Sequence, residues 1–192
     1  MFLVENCFHW IGFHIVEYLL NQGYTVTGND EINTDGKEHL SMFFSRNENF
    51  THVEQQSNET VYDMRIMPSE TELTLHKEST STIYLPLLFG KWMPMNHNGM
   101  YFRRKFITFD SEEFLEKAVY IGDFLKIFHQ CIRASNLPPV IKVKTGGADV
   151  PDDRKVENSV FIRNNRPVTD RLKIVQNHYK KFSELYESNE NV

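Results

Sequence analysis

The sequence predicts an α/β fold in which helices flank a mostly parallel sheet. An apolar run at residues 1–4 is typical of a buried strand. From Ile11 the apolar side chains recur at helical spacing as far as Gly23, and glycine commonly ends helices. A β-rich run follows at residues 24–28, so this unit of about 30 residues has the pattern strand, helix, parallel strand.

Shorter elements follow this first unit. A turn at residues 33–36 precedes a short helical stretch through Leu40, Phe43 and Phe44, and residues 50–54 form a third strand candidate. Residues 55–82 are polar and only residues 72–76 alternate, which predicts an irregular segment with at most one exposed strand.

The second half continues the α/β pattern with weaker signals. Residues 83–89 predict a buried strand or extended segment, in which Pro86 disfavours a central position in an ordered ladder. A short apolar run at 118–121 precedes Asp123, the expected N-cap of a helix over 124–134, and residues 140–143 form the last strand candidate.

A final helix is predicted from Thr169 or Asp170, after the turn-rich and charged residues 146–167. Its one apolar face predicts that it docks on the rest of the protein. The residues of this face are Leu172, Val175, Tyr179, Phe182 and Leu185.

Composition favours an ordinary globular protein and one domain over residues 1–192. The chain has a formal net charge of -5 and 13% aromatic residues. Nothing in this charge indicates a nucleic acid or an anionic membrane as partner. Glu5, His9, His14 and Glu17 interrupt the apolar N-terminus, which disfavours a signal peptide or membrane helix. Two cysteines cannot form a disulfide framework, so we expect a cytoplasmic protein.

Four stretches carry a family resemblance. They read VENCFHWIGFHIVE at 4–17, VTGND at 26–30, LPLLFGKW at 85–92 and AVYIGD at 118–123. These resemble V-T-G-G-x-G-F-I-G-S-H-L-V-E, V-T-G-x-D, L-P-T-V-Y-G-P-W and F-V-Y-V-D-D of the extended short-chain dehydrogenases/reductases, in particular the NAD-dependent epimerases and dehydratases of nucleotide sugars. The chain is much shorter than the family's complete enzymes. The resemblance thus implies a truncated Rossmann-like sheet that begins with residues 1–54. An irregular segment at residues 55–82 would replace the family's middle region. Residues 83–192 would be a remnant of the later sheet, the substrate-side region and the C-terminal helix.

The resemblance also implies NAD as cofactor and a set of cofactor-binding positions. In a dinucleotide fold three glycines make the tight turn, admit the pyrophosphate and let helix and strand pack closely. Asn6 holds the first of these positions, where asparagine tolerates a positive φ. His9 holds the second, where its imidazole would occupy the space of the pyrophosphate. If protonated, that imidazole would instead contact the phosphates itself. The implied positions are Asn6, His9, Trp10, Ile11, Gly12 and, for the ribose hydroxyls, Asp30.

The family's catalytic Tyr-x-x-x-Lys is missing from its expected place between Val53 and Leu85. Tyr101 and Lys105 have this spacing, but they come after the LPLLFGKW stretch instead of before it. We interpret their spacing as a coincidence. No metal-site spacing occurs. Cys7, before a helix, is either a nucleophile or, as we favour, a small buried residue in place of a glycine.

These observations give three functional hypotheses. The first is a degenerate, non-catalytic epimerase/dehydratase-like protein with residual nucleotide or nucleotide-sugar binding. The second is an active NAD-dependent enzyme with re-sited catalytic residues, and the third a structural or regulatory subunit that pairs with a full-length relative. A missing middle region would leave a sheet face or edge uncovered, so we expect a homo-oligomer or a complex with a relative.

Overall fold

The computed structural model describes residues 1–54, 61–145, 159–162 and 167–187. The helices are α1 (Trp10–Asn21), α2 (Asp35–Met42), α3 (Glu112–Lys117), α4 (Ile121–Arg133) and α5 (Val168–Glu187). The strands are β1 (Phe2–Glu5), β2 (Val26–Asn29), β3 (Phe50–Val53), β4 (Met64–Pro68), β5 (Glu72–His76), β6 (Thr80–Tyr84), β7 (Leu87–Phe89), β8 (Gly99–Phe102), β9 (Lys105–Thr108), β10 (Ala118–Tyr120), β11 (Val140–Thr145) and β12 (Ser159–Ile162).

The main sheet has eight strands in the order β12-β11-β6-β5-β4-β1-β2-β3. Only β5 is antiparallel to its neighbours; every other adjacent pair in this sheet is parallel. Two small sheets, β10-β7 and β8-β9, accompany it. The predicted fold class, an α/β Rossmann-like arrangement with a mostly parallel sheet and flanking helices, is therefore confirmed.

The first βαβ unit forms where the sequence predicts it. Nine of the twelve residues of α1 are buried, which explains why its apolar pattern is so strong. Gly23 follows the helix with φ +81° and donates its N–H to Leu20 O at 2.9 Å, as a C-terminal glycine does. At the start of α2, the Thr34 hydroxyl accepts the N–H of Lys37 and caps the helix.

The prediction of an irregular segment at residues 55–82 is wrong for the part of it that the structure describes. β4, β5 and the start of β6 lie here and form two antiparallel hairpins that link β4 to β6. The strand predicted at 72–76 is present as β5, with Leu73 and Leu75 fully buried. β4 and the start of β6 were not predicted, because a run of five residues with mixed polarity gives little period-two signal.

Three further boundaries differ from the prediction. Pro86 divides the strand expected at 83–89 into the end of β6 and β7, because proline cannot donate to a ladder. α4 begins at Ile121 with Tyr120 as N-cap, so Asp123 lies inside its first turn. β12 occurs within the turn-rich region; residues 146–158 and 163–166 of that region lie outside the described residues.

The five strands β4, β5, β6, β11 and β12 of the main sheet have one largely apolar and one largely polar face. Ile66, Leu73, Ile83 and Ile141 are buried in the core that the helices share. The opposite face carries polar side chains, together with a few exposed apolar ones. The polar side chains include Arg65, Thr74, Thr82, Lys142 and Lys144, and the exposed apolar ones are Tyr84, Val140 and Phe161.

The C-terminal helix docks as predicted, beside α2 and β10. Leu172 and Val175 are buried, and the remaining residues of the predicted face pack against the core. The helix bends at Phe182, where φ is -129°. Its last turn carries Tyr186, which is fully buried. Within the described residues, no helix is both long and apolar enough to cross a membrane.

Candidate functional site

The loop between β1 and α1 makes the tight turn that the resemblance implies. Asn6 has φ 49°, in the left-handed region that asparagine tolerates better than most residues. Its carbonyl accepts the N–H of His9 at 3.0 Å. Asn6 therefore has the backbone conformation expected of the first glycine position.

Gly12 lies where α1 comes closest to this loop. A Cβ atom at this position would be 2.1 Å from Asn6 O and 3.2 Å from Cys7 Cα, and both belong to the backbone. Close packing of helix and strand is the role of the third glycine in a dinucleotide fold. Gly12 has this packing geometry here.

Asp30 is buried at the end of β2 and its carboxylate is already engaged. One oxygen accepts the backbone N–H of Phe8 at 2.9 Å, and the other accepts the Lys37 ammonium at 2.7 Å. The Asp30 side chain is only 5% exposed, so a ribose hydroxyl would have to displace one of these donors to bind it. Lys37, which the sequence analysis assigned no role, neutralises this carboxylate.

The side chain of Phe8 fills the space beside the loop. Its ring is 5.0 Å from that of His52 and 6.5 Å from that of Phe50, both on β3. The His52 Nε2–H in turn donates to Asp30 O at 2.8 Å. Aromatic packing thus holds the loop against the ends of β2 and β3.

The side chains at the other implied cofactor positions, His9, Trp10 and Ile11, pack inside the protein. The Nδ1 atom of His9 is buried without a hydrogen-bond partner, and burial lowers the pKa of this residue to about 4. The imidazole is consequently neutral at pH 7, which disfavours the hypothesis of a protonated His9 that contacts phosphates. Trp10 and Ile11 are buried in the core, so only their backbone N–H groups are available to a ligand.

Tyr101 and Lys105 lie on neighbouring strands of a hairpin and not on one helix. In the β8-β9 pairing Tyr101 is opposite Phe106, and Lys105 is opposite Phe102. The Lys105 ammonium binds Glu113 at 2.6 Å. This arrangement supports the interpretation of the Tyr-x-x-x-Lys spacing as a coincidence.

Neither cysteine has the surroundings of a reactive thiol. Cys7 is fully buried and burial strongly raises its pKa; the pKa of Cys131 is raised for the same reason. A thiolate is the reactive form, so Cys7 fits the role of a small buried residue better than that of a nucleophile. Among the described residues, no group of three or more His, Cys, Asp or Glu side chains could hold a metal ion.

A cavity of about 190 Å³ lies between α1, the start of α4 and the turn after β7. We call it the α1–α4 cavity. No local sequence pattern predicts this cavity, because its residues come from five separate parts of the chain. They include His14, Glu17, Lys91, Trp92, Gly122 and His178.

A hydrogen-bond chain fixes one wall of the α1–α4 cavity. The Tyr186 hydroxyl accepts the backbone N–H of Trp92 at 2.8 Å and lies 2.8 Å from His178 Nδ1. Burial and the positive charge of Lys91 lower the pKa of His178 to about 4, so its ring is neutral. The Nδ1 atom accepts a hydrogen bond from the tyrosine hydroxyl, and the ring proton is on Nε2. Trp92 has φ 64°, an unfavourable conformation for a bulky residue, and Tyr186 stacks on its ring at 5.3 Å.

His14 connects two other groups of the cavity. Its Nε2 atom is 3.1 Å from Lys91 O, and its Nδ1 atom is 3.4 Å from the Glu17 carboxylate. The bond to His14 and, to a smaller extent, the Lys91 ammonium lower the pKa of Glu17, so Glu17 is ionised at neutral pH. The cavity therefore combines an ammonium, a carboxylate and two imidazoles at the start of a helix.

Comparison with protein-family models, curated proteins and solved structures finds no match to this chain. The resemblance to the epimerases and dehydratases therefore rests on the sequence stretches at 4–17, 26–30, 85–92 and 118–123. The Rossmann-like class rests on the order and direction of the strands.

Proposed function

We propose that this chain is a degenerate, non-catalytic relative of the NAD-dependent epimerases and dehydratases, located in the cytoplasm. The observation that carries the proposal is the path of the chain between β4 and β6. Two hairpins make this connection, whereas the resemblance requires a helix with the catalytic tyrosine and lysine between Val53 and Leu85. Residual binding of a nucleotide or nucleotide sugar is the activity that remains compatible with this fold.

NAD is expected to bind weakly or not at all. The Asp30 carboxylate already has two donors, and His9 occupies the position of the pyrophosphate-approach glycine. Titration calorimetry with NAD⁺ measures the affinity directly. A submicromolar Kd, which corresponds to about -8 kcal/mol or better, would contradict the proposal.

A loop variant serves as the control for this titration. Asn6→Gly, Cys7→Gly and His9→Gly together restore the glycine pattern, and a gain in NAD⁺ affinity would show that the loop alone blocks the site. If affinity does not rise, the bond of Asp30 to Lys37 and the packing of Phe8 keep the site closed. Unfolding curves of the variant verify that it remains folded.

No turnover of a nucleotide sugar is expected, even with the glycines restored. Positioned proton transfer contributes typically 10²–10⁴ in rate, and the described residues place no tyrosine–lysine pair on a helix beside the β1–α1 loop. The assay follows epimerisation and dehydration of nucleotide sugars with added NAD⁺. Turnover that disappears in Tyr101→Phe would instead favour the alternative of an active enzyme with re-sited catalytic residues.

Self-association, or pairing with a full-length relative as a structural subunit, is the proposed mode of assembly. The outer face of the main sheet is largely polar, but three exposed apolar side chains, Tyr84, Val140 and Phe161, lie on β6, β11 and the edge strand β12. We expect sedimentation to show a dimer that Phe161→Lys converts to a monomer. Leu115→Lys, on the exposed side of α3, is the matched control. A wild-type chain that stays monomeric on concentration would contradict homo-oligomerisation.

A further inference from the structure

We propose that the α1–α4 cavity binds a small polyhydroxylated phosphate monoester, with its phosphate between Lys91 and the start of α4. This site is separate from the β1–α1 loop, and the proposal does not depend on whether the chain binds NAD. The cavity volume of about 190 Å³ is well below the roughly 300–1,000 Å³ of pockets for larger ligands. This volume fits a small metabolite better than a dinucleotide.

Lys91 provides the positive charge for the phosphate. It is half-buried, lines the cavity and forms no ion pair within the described part of the chain. Lys126, in the first turns of α4, is already paired to Asp123 at 2.7 Å. The Lys91 ammonium already interacts with the Glu17 carboxylate beyond ion-pair distance, but inside a cavity it gains more from an adjacent anion than an ammonium that is free in water.

The start of α4 lines the same cavity and provides hydrogen-bond donors. This helix has 13 residues, and its N-cap Tyr120 makes no side-chain bond to the first turn. Ile121 and Gly122 line the cavity, and the first backbone N–H groups of a helix have no partner within the helix. Such groups and the helix dipole stabilise a phosphate.

Two carboxylates near the site determine what the rest of the ligand must be. Asp123 lies in the first turn of α4, but Lys126 at 2.7 Å and Arg171 at 3.8 Å neutralise it. Glu17 lines the cavity itself, is half-exposed and is held by His14. A carboxylate accepts hydrogen bonds from hydroxyl groups, so Glu17 favours a sugar or polyol beside the phosphate and disfavours a second anionic group.

The aromatic and imidazole groups keep the cavity in shape. The Trp92 ring meets the His178 ring edge-on at 4.4 Å, and the Tyr186 hydroxyl links the two residues. His178 is neutral with a proton on Nε2, so it adds a donor without adding charge. A cavity formed in advance loses little conformational entropy on binding.

Ribose 5-phosphate is the probe for this proposal, with ribose and inorganic phosphate as comparisons. Titration calorimetry of the wild-type protein is expected to give saturable binding of ribose 5-phosphate, weaker binding of phosphate and no binding of ribose. In the nitrogen–proton NMR spectrum the amides of Ile121 and Gly122 should shift during the same titration. No saturable binding up to about 10 mM ribose 5-phosphate would overturn the proposal.

Variants then test the two charged residues. Lys91→Met should weaken the binding of ribose 5-phosphate about tenfold or more, whereas Lys173→Met, on exposed α5, should leave it unchanged. Glu17→Gln should lower the ratio of ester to phosphate affinity, because it removes the hydroxyl acceptor and the repulsion together. Equal affinities of the wild type for ester and phosphate, or an unchanged affinity in a folded Lys91→Met, would refute the site.

Discussion

Gly12→Ala is expected to destabilise the protein by about 3 kcal/mol or to prevent folding. The added Cβ would lie 2.1 Å from Asn6 O, much closer than any real contact, and neither atom belongs to a flexible side chain. Relief requires α1 to move away from the β1–α1 loop, which disturbs the packing of its nine buried residues. Overpacking of this kind costs typically 1–3 kcal/mol and more where the backbone must shift. Urea unfolding followed by circular dichroism measures the change.

Gly23→Ala is the matched control because it separates steric overlap from backbone strain. Gly23 has φ +81°, and a Cβ there would meet no atom within 4 Å. The cost is then only that of a left-handed alanine, roughly 1–2 kcal/mol. If both variants lost the same stability, the close approach of Gly12 to Asn6 O would not be the reason for the glycine.

Elements with a local signal could be predicted from the sequence. α1 has a long apolar period and Gly23 at its end, and α5 carries one continuous apolar face. α2 was expected as a short helical stretch after a turn at residues 33–36, and in the structure Thr34 of this turn caps the helix through the bond to Lys37. In each case neighbouring residues determine the element, so no knowledge of distant contacts was needed.

Elements without a local signal were missed or misplaced. β4 has only five residues, with Arg65 second and Pro68 last, so it resembles a loop until β1 and β5 pair with it. α4 begins at Ile121 after an N-cap of atypical type, Tyr120, whereas Asp123 has the sequence signature of a cap. Tertiary pairing decides the structure at these positions, and a single sequence does not display it.

The sites show the same distinction between local and distant signals. The positions of Asn6, Gly12 and Asp30 followed from a short pattern, and the structure gathers all three around one loop. The α1–α4 cavity depends on contacts such as that between Trp92 and Tyr186, which are 94 residues apart. No short motif joins residues at such a separation, so the cavity required the structure.

Asp30→Ala is expected to destabilise the protein by about 3 kcal/mol. The variant leaves the buried N–H of Phe8 without its acceptor and the Lys37 ammonium without its carboxylate. Removing one partner of a buried ion pair costs typically 3–5 kcal/mol, and the lower end applies here because the Lys37 side chain is 26% exposed.

Asp170→Ala removes an exposed pair to Lys173 and should change stability by less than about 0.5 kcal/mol. The double variant Asp30→Ala with Lys37→Met should recover part of the loss, because the unpaired charge is gone. Urea unfolding of the four proteins gives these differences, and a loss in Asp30→Ala no larger than in Asp170→Ala would mean that the carboxylate does not hold the loop and is free to bind a ligand.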